Sequence, residues 1–188
     1  MKGRRLIALL LVVGGVLTAS QGLWIQAKAV LAQQLLEHAW RKTLEDGVAH
    51  KPWPWADHWP VARLTLPDHQ RSYIVLEGDA GNVLAFAPGH NPQSGLLQDN
   101  RTSVISGHRD THFAILRELA IGHRVQLQTA QTSAEYVVRG RRIADSRTQQ
   151  IAIQPDRNLV LVTCWPFDAL APSGPLRLVI DAQRVVTL

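Results

Sequence analysis

Apolar residues in this chain come first as one long block and then as short, separated runs. From Leu6 to Ile25 the block is interrupted only by Gly, Thr18, Ser20 and Gln21. A helix of about 20 residues at about 1.5 Å each just spans a hydrocarbon core of about 30 Å. Lys2, Arg4 and Arg5 precede it, which predicts a cytoplasmic N-terminus with the remainder exported. A cleaved signal peptide is the competing reading, with Ala27-Lys28-Ala29 as its small-residue site. Beyond the block, Ala27 to about Leu44 has helical spacing, with Leu31, Leu35 and Ala39 on one face and Gln33, Glu37 and Arg41 elsewhere. A stalk continuing the anchor is expected there.

The pattern then shortens to β-type runs set apart by Gly, Pro, Asn and Asp. Strands are predicted at Val61 to Leu66, Ser72 to Glu77, Val83 to Ala87, Thr102 to Gly107, Arg124 to Thr129, Glu135 to Ala144, Asn158 to Cys164 and Leu176 to Val186. Asp79-Ala80-Gly81-Asn82 and the stretch around His90 read as turns, and Phe113 to Leu119 as a short helix. The pattern predicts an all-β domain, one eight-stranded barrel or sandwich. Between stalk and strands, Asp46 to Pro60 holds three tryptophans and three prolines, either a clamp of indoles on the domain or a lid near a site.

Charge narrows the partners. The net charge is +5, three of it from Lys2, Arg4 and Arg5, and the remaining basic residues are scattered apart from Arg139, Arg141 and Arg142. Nucleic acid is therefore not an expected partner. Neither a Gly-rich phosphate loop nor an acidic cluster is present, so no nucleotide or metal cofactor is expected.

Candidate chemistry centres on Cys164, the only cysteine, at the end of Leu159-Val160-Leu161-Val162-Thr163-Cys164 and just before Trp165-Pro166. A lone cysteine is either a buried filler or a nucleophile, and a strand end opening into a loop displays a nucleophile. Upstream is Ser106-Gly107-His108-Arg109-Asp110-Thr111-His112-Phe113, and downstream is Arg177 in Leu176-Arg177-Leu178-Val179-Ile180. A sheet can gather thiol, imidazole and guanidinium from these three runs. His112 rivals His108, and the pair at helical spacing also suits metal ligation, but no nearby carboxylate or second cysteine completes a zinc set.

Ile105-Ser106-Gly107-His108-Arg109-Asp110-Thr111-His112-Phe113, then Val162-Thr163-Cys164, then Arg177 thirteen residues after the cysteine, resemble the sortase family of membrane-anchored cysteine transpeptidases. The resemblance covers roughly residues 52 to 186. The Trp/Pro-rich Pro52-Trp53-Pro54-Trp55-Ala56-Asp57-His58-Trp59-Pro60 is most similar to the Gram-negative-type members. Val162 departs from the polar or small residue common at that place. The resemblance implies a closed eight-stranded sortase-like β-barrel with short helices, behind a transmembrane helix and stalk. It divides the chain into a cytoplasmic tip and signal-anchor (1–26), a stalk and linker (27–60) and a catalytic barrel (61–188). It further implies that Cys164 is the nucleophile, that His108 transfers the proton and that Arg177 positions the substrate oxyanion. Trp165, next to the cysteine, is the candidate substrate contact. The implied partners are an exported protein with a C-terminal LPXTG-like sorting motif and an amine acceptor, met by a single-pass protein of the cytoplasmic (inner) membrane whose catalytic domain is extracytoplasmic. A tethered non-catalytic peptide-binding domain is the alternative of a different class. An L,D-transpeptidase-like enzyme fits poorly, because its arginine lies close behind the cysteine.

Overall fold

The computed structural model describes residues 2–96, 98–156, 158–169 and 174–185. The predicted stalk and the apolar block form one helix, α1 (Lys2–Asp46), so the expected boundary at residue 26 falls inside a continuous element. Among the described residues eight strands follow: β1 (Pro60–Leu66), β2 (Arg71–Glu77), β3 (Gly89–His90), β4 (Ser103–Ser106), β5 (Arg124–Gln128), β6 (Ser133–Asp145), β7 (Leu159–Cys164) and β8 (Leu176–Arg184). They close in the order β1-β2-β3-β4-β7-β8-β6-β5, with β5 returning to β1. Alternation does the work: Ala62, Leu64 and Leu66 of β1 point inward beside Val125 and Leu127 of β5, Leu159 and Leu161 of β7, and Leu178 and Ile180 of β8. Phe113 and Leu116, from a 3-10 helix (His112–Arg117), close the same core.

Two expectations are corrected. Val83 to Ala87 is not a strand; its start is a single helical turn, α2 (Gly81–Leu84). Val83 and Ala87 sit at helical spacing and are buried beneath Leu36 and Trp40 of α1, so the run serves the stalk rather than the barrel. The third strand is instead β3, in the stretch read as a turn. It pairs parallel to β2 and antiparallel to β4. Gly89 is required there because a Cβ would lie 2.1 Å from the Gly78 carbonyl oxygen. His90 is buried, its Nδ1 3.2 Å from Glu77 Oε2 and its Nε2 3.0 Å from the Gly95 carbonyl and 3.1 Å from Ser94 Oγ.

In the Trp/Pro-rich segment, Trp53 packs edge-on against His58 (5.5 Å) and Phe86 (5.2 Å), as a clamp does, whereas Trp55 is 83% exposed. The Asp168 to Pro175 loop lies partly, and the end of the predicted last strand at Val186 wholly, outside the described residues.

Candidate active site

Residues two apart on a strand share a face. In β7, Leu159 and Leu161 enter the core, so Val160, Val162 and Cys164 take the outer face. In β8, Leu178 and Ile180 enter the core, and Arg177 and Val179 share the outer face. In β4, Ile105 faces in and Val104 faces out. Cys164 and Arg177 are direct partners across the antiparallel β7/β8 ladder. On the other side of β7, Ser106 pairs with Val162 in the parallel ladder. That pairing extends one step, since the Gly107 N–H donates to the Val162 carbonyl at 3.0 Å and Thr163 Oγ1 donates to the Gly107 carbonyl at 2.7 Å. His108 follows directly. Three adjacent strands thus bring Cys164, Arg177 and the backbone of His108 to one end of the barrel.

Their surroundings differ. His108 is exposed, and Cys164 and Arg177 are half-buried. Arg177 Nη1 donates to the carbonyls of Gly174 (2.6 Å) and Leu176 (2.9 Å), which braces the guanidinium from one corner of its fork. Gly107 permits the turn after β4: a Cβ there would sit 2.6 Å from Phe113 Cγ, while the Phe113 N–H donates to the His108 carbonyl at 3.0 Å. From Arg177 a groove of about 400 Å³ runs over the outer face, with Val104, Ile151, Ile153, Val162 and Val179 along it. Asn91, Gln93, Ser146, Gln149 and Gln150 add polar groups along its walls, so the groove that starts at Arg177 suits an extended peptide of mixed character.

The rival histidine is placed apart. His112 begins the 3-10 helix, lies against Tyr73 at 6.0 Å and lines a cleft with α1. Burial holds its imidazole below the ordinary value, and the charge of His108 pushes the same way against the opposing Phe86 carbonyl. Trp165 is half-buried against the core and meets Phe167 edge-on at 5.7 Å.

Two residues of the site went unassigned in the sequence. Arg109 is 6% exposed; its Nη1 and Nη2 donate to the carbonyls of Pro166 (2.6 Å) and Ala169 (2.7 Å), and its Nε reaches Asp110. It ties the backbone after the imidazole to the backbone after the thiol. A charged residue next to a strand-end histidine was the available signal. Thr163 is the second, its hydroxyl cross-linking β7 to the end of β4.

Residues 64–185 match the family model described as the sortase domain. The chain belongs to the sortase family. It is 31% identical over 124 residues to the sortase D of Bacillus subtilis (strain 168), covering 65% of this chain and 62% of that protein. The solved sortase A of Corynebacterium diphtheriae superposes with a TM-score of 0.62 at 21% identity, over 71% of this chain and 64% of the other. A Clostridium perfringens sortase D5 transpeptidase superposes with a TM-score of 0.66 at 16% identity, over 84% and 99%. This sortase therefore spans less than two thirds of the Bacillus and Corynebacterium chains it matches. At these identities the structural matches establish the closed barrel, which is the fold the resemblance implied where the strand pattern alone left barrel or sandwich open.

Proposed function

We propose that this sortase is a membrane-anchored cysteine transpeptidase that cleaves an LPXTG-like sorting motif after Thr and passes the acyl group to an amine. The observation that carries the reading is that Cys164 and Arg177 face each other across the β7/β8 ladder while His108 follows the end of β4 on the other side of β7, with a groove running from Arg177. The thiolate of Cys164 attacks the Thr carbonyl carbon, forming the C–S bond. As the C–N bond breaks, His108 gives its proton to the departing amine. The acceptor amine then attacks the thioester, the C–S bond breaks, and the amine's proton passes to the imidazole. Arg177 never deprotonates; braced through Nη1, it offers its other N–H groups to the oxyanion. The candidate contact Trp165 directly follows the nucleophile but packs toward the core and Phe167, so only its exposed edge is offered to the motif.

Leu10, Val16, Leu23 and Ile25 are all more than half exposed on a helix long and apolar enough to cross a bilayer, and the continuity of that helix with the buried Leu36 and Trp40 favours an uncleaved anchor. We read it as a single pass of the inner membrane with the N-terminus inside and the barrel, residues 61–188, as the extracytoplasmic catalytic unit. The relatives matched above carry class A and class D names, so the Gram-negative-type reading rests on the Trp/Pro-rich segment. Purified full-length protein, given a panel of motif peptides and an amine acceptor, tests the proposal. A new amide joining the acyl-Thr fragment to the acceptor is expected, and absence of both transfer and hydrolysis across the panel overturns it.

A further inference from the structure

α1 touches the barrel in a fixed order along its length. Lys28 to Gln34, Leu31 excepted, line a mostly apolar cleft of about 580 Å³ with Ala85, Phe86, Thr111 and His112, and Gln33 Nε2 donates to the Phe86 carbonyl at 2.7 Å. A turn further on, Leu36 and Trp40 are fully buried against Ile74, Leu76 and Val83, and Arg63 donates to Glu37. At the far end Thr43 and Gly47 border a cavity with Thr129 and Gln131 of the β5–β6 turn. The helix therefore runs the height of the barrel. Its early residues meet the end carrying His112, four residues after His108, and its late residues meet the opposite end.

The early contacts begin only three to nine residues beyond Ile25, about 5–14 Å along a helix axis. Lys28 Nζ lies 5.0 Å over the Trp24 ring, a pairing of indole and ammonium that suits the headgroup layer. Val30 (59%) and Leu31 (55%) stay exposed beside the cleft, continuing the apolar surface of the helix. That surface fits a lipid interface, with apolar side chains in the acyl boundary and Lys28 among phosphates.

We propose that α1 is a continuous strut that seats the Cys164 end of the barrel toward the membrane surface, so that the site meets peptide bonds close to the bilayer. This rests on α1 being an uncleaved anchor. Buried Leu36 and Trp40 and the Arg63–Glu37 pair fix the angle between helix and barrel, so height and orientation are set together. A flexible tether, by contrast, lets the site sample all heights.

The test uses the full chain in nanodiscs of phosphatidylcholine and phosphatidylglycerol with nitroxide on a fraction of the headgroups. A fluorophore is placed on Cys164, or on Thr132→Cys in a Cys164→Ser background, in the exposed turn at the opposite end. Several-fold stronger quenching at Cys164 than at Thr132→Cys is expected. Inserting seven helix-forming residues after Ala27 adds two turns, about 10 Å, with nearly the same facing, and is expected to reduce quenching at Cys164. Equal quenching at the two positions, or no response to the insertion, in protein that remains in the lipid overturns the strut and leaves the anchor standing. Protein that does not stay with the lipid overturns the anchor, and the strut with it.

Discussion

His90 and His108 stand on neighbouring stretches of chain and face opposite fates. His90, in β3, is 4% exposed and both ring nitrogens are engaged, one with Glu77 and the other with the Gly95 carbonyl and Ser94 hydroxyl. The arrangement superficially matches a Ser–His–Glu triad. It is structural, because Ser94 Oγ already donates to the Asn91 carbonyl and accepts from the Val104 N–H. His108, just past β4, is exposed, and its fixed bonds are made by its backbone, to Thr111 and Phe113. The contrast separates a histidine that holds a fold from an exposed one to which the proposed mechanism gives the proton transfer.

The sharpest way to break this contrast is to remove each imidazole in turn. His108→Ala is expected to cut kcat by roughly 10²–10⁴-fold with little change in melting temperature. His90→Ala is expected to reverse the pattern: it strands Glu77 and the Gly95 carbonyl, costing about 2 kcal/mol or more, while each folded molecule keeps near-normal activity. Paired kinetics and thermal melts check both. If His90→Ala loses catalysis at full stability, the assignment is wrong.

Next in size is Arg177→Lys. Lysine keeps the charge but not the fork, which is braced through Nη1 on Gly174 and Leu176 and whose remaining N–H groups the proposed mechanism aims at the oxyanion. A loss of about a hundredfold, mostly in kcat rather than KM, is expected in steady-state assays. Retention of more than about half of kcat, against that scale, would reject the geometric role.

A smaller effect probes the turn between β4 and the 3-10 helix. Gly107→Ala must displace the Phe113 ring, which a new Cβ would approach to 2.6 Å, so a loss of about 1–3 kcal/mol is expected by chemical denaturation. Because His108 is the next residue, kcat should fall as well. An alanine variant with unchanged stability would show that Phe113 moves freely.

The sequence made this site legible where one strand carries its own signal. β8 is apolar at alternate positions, so the face of Arg177 follows from counting inward residues, whereas the unbroken apolar run of β7 leaves the face of Cys164 to the ladder. The misreadings share one physical cause, dependence on distant partners. Val83 and Ala87 are apolar because Leu36 and Trp40 cover them, and nothing local says so. β3 has two residues, too few to show a period. Arg109 bonds carbonyls 57 and 60 residues away, a role no local spacing reveals.

The smallest expected effect concerns His112, whose imidazole is held below its ordinary value chiefly by burial. The folded state therefore disfavours its protonation. Its contribution to stability is fully present above the unfolded value near 6.5 and is lost as pH falls through that value toward the lower folded one. His112→Gln is expected to flatten the fall in melting temperature between about pH 7 and pH 5 slightly. An unchanged slope would mean that the cleft beside α1 already hydrates the ring.

The account stands most directly on the mass of the enzyme caught mid-reaction. Wild-type protein incubated with a cleaved motif peptide and no amine acceptor, then acid-quenched and digested, should carry the acyl fragment on the peptide containing Cys164, and Cys164→Ala should carry none while melting within about 1–2 kcal/mol of wild type. Turnover with no adduct on Cys164, or undiminished turnover by the alanine variant, would contradict it.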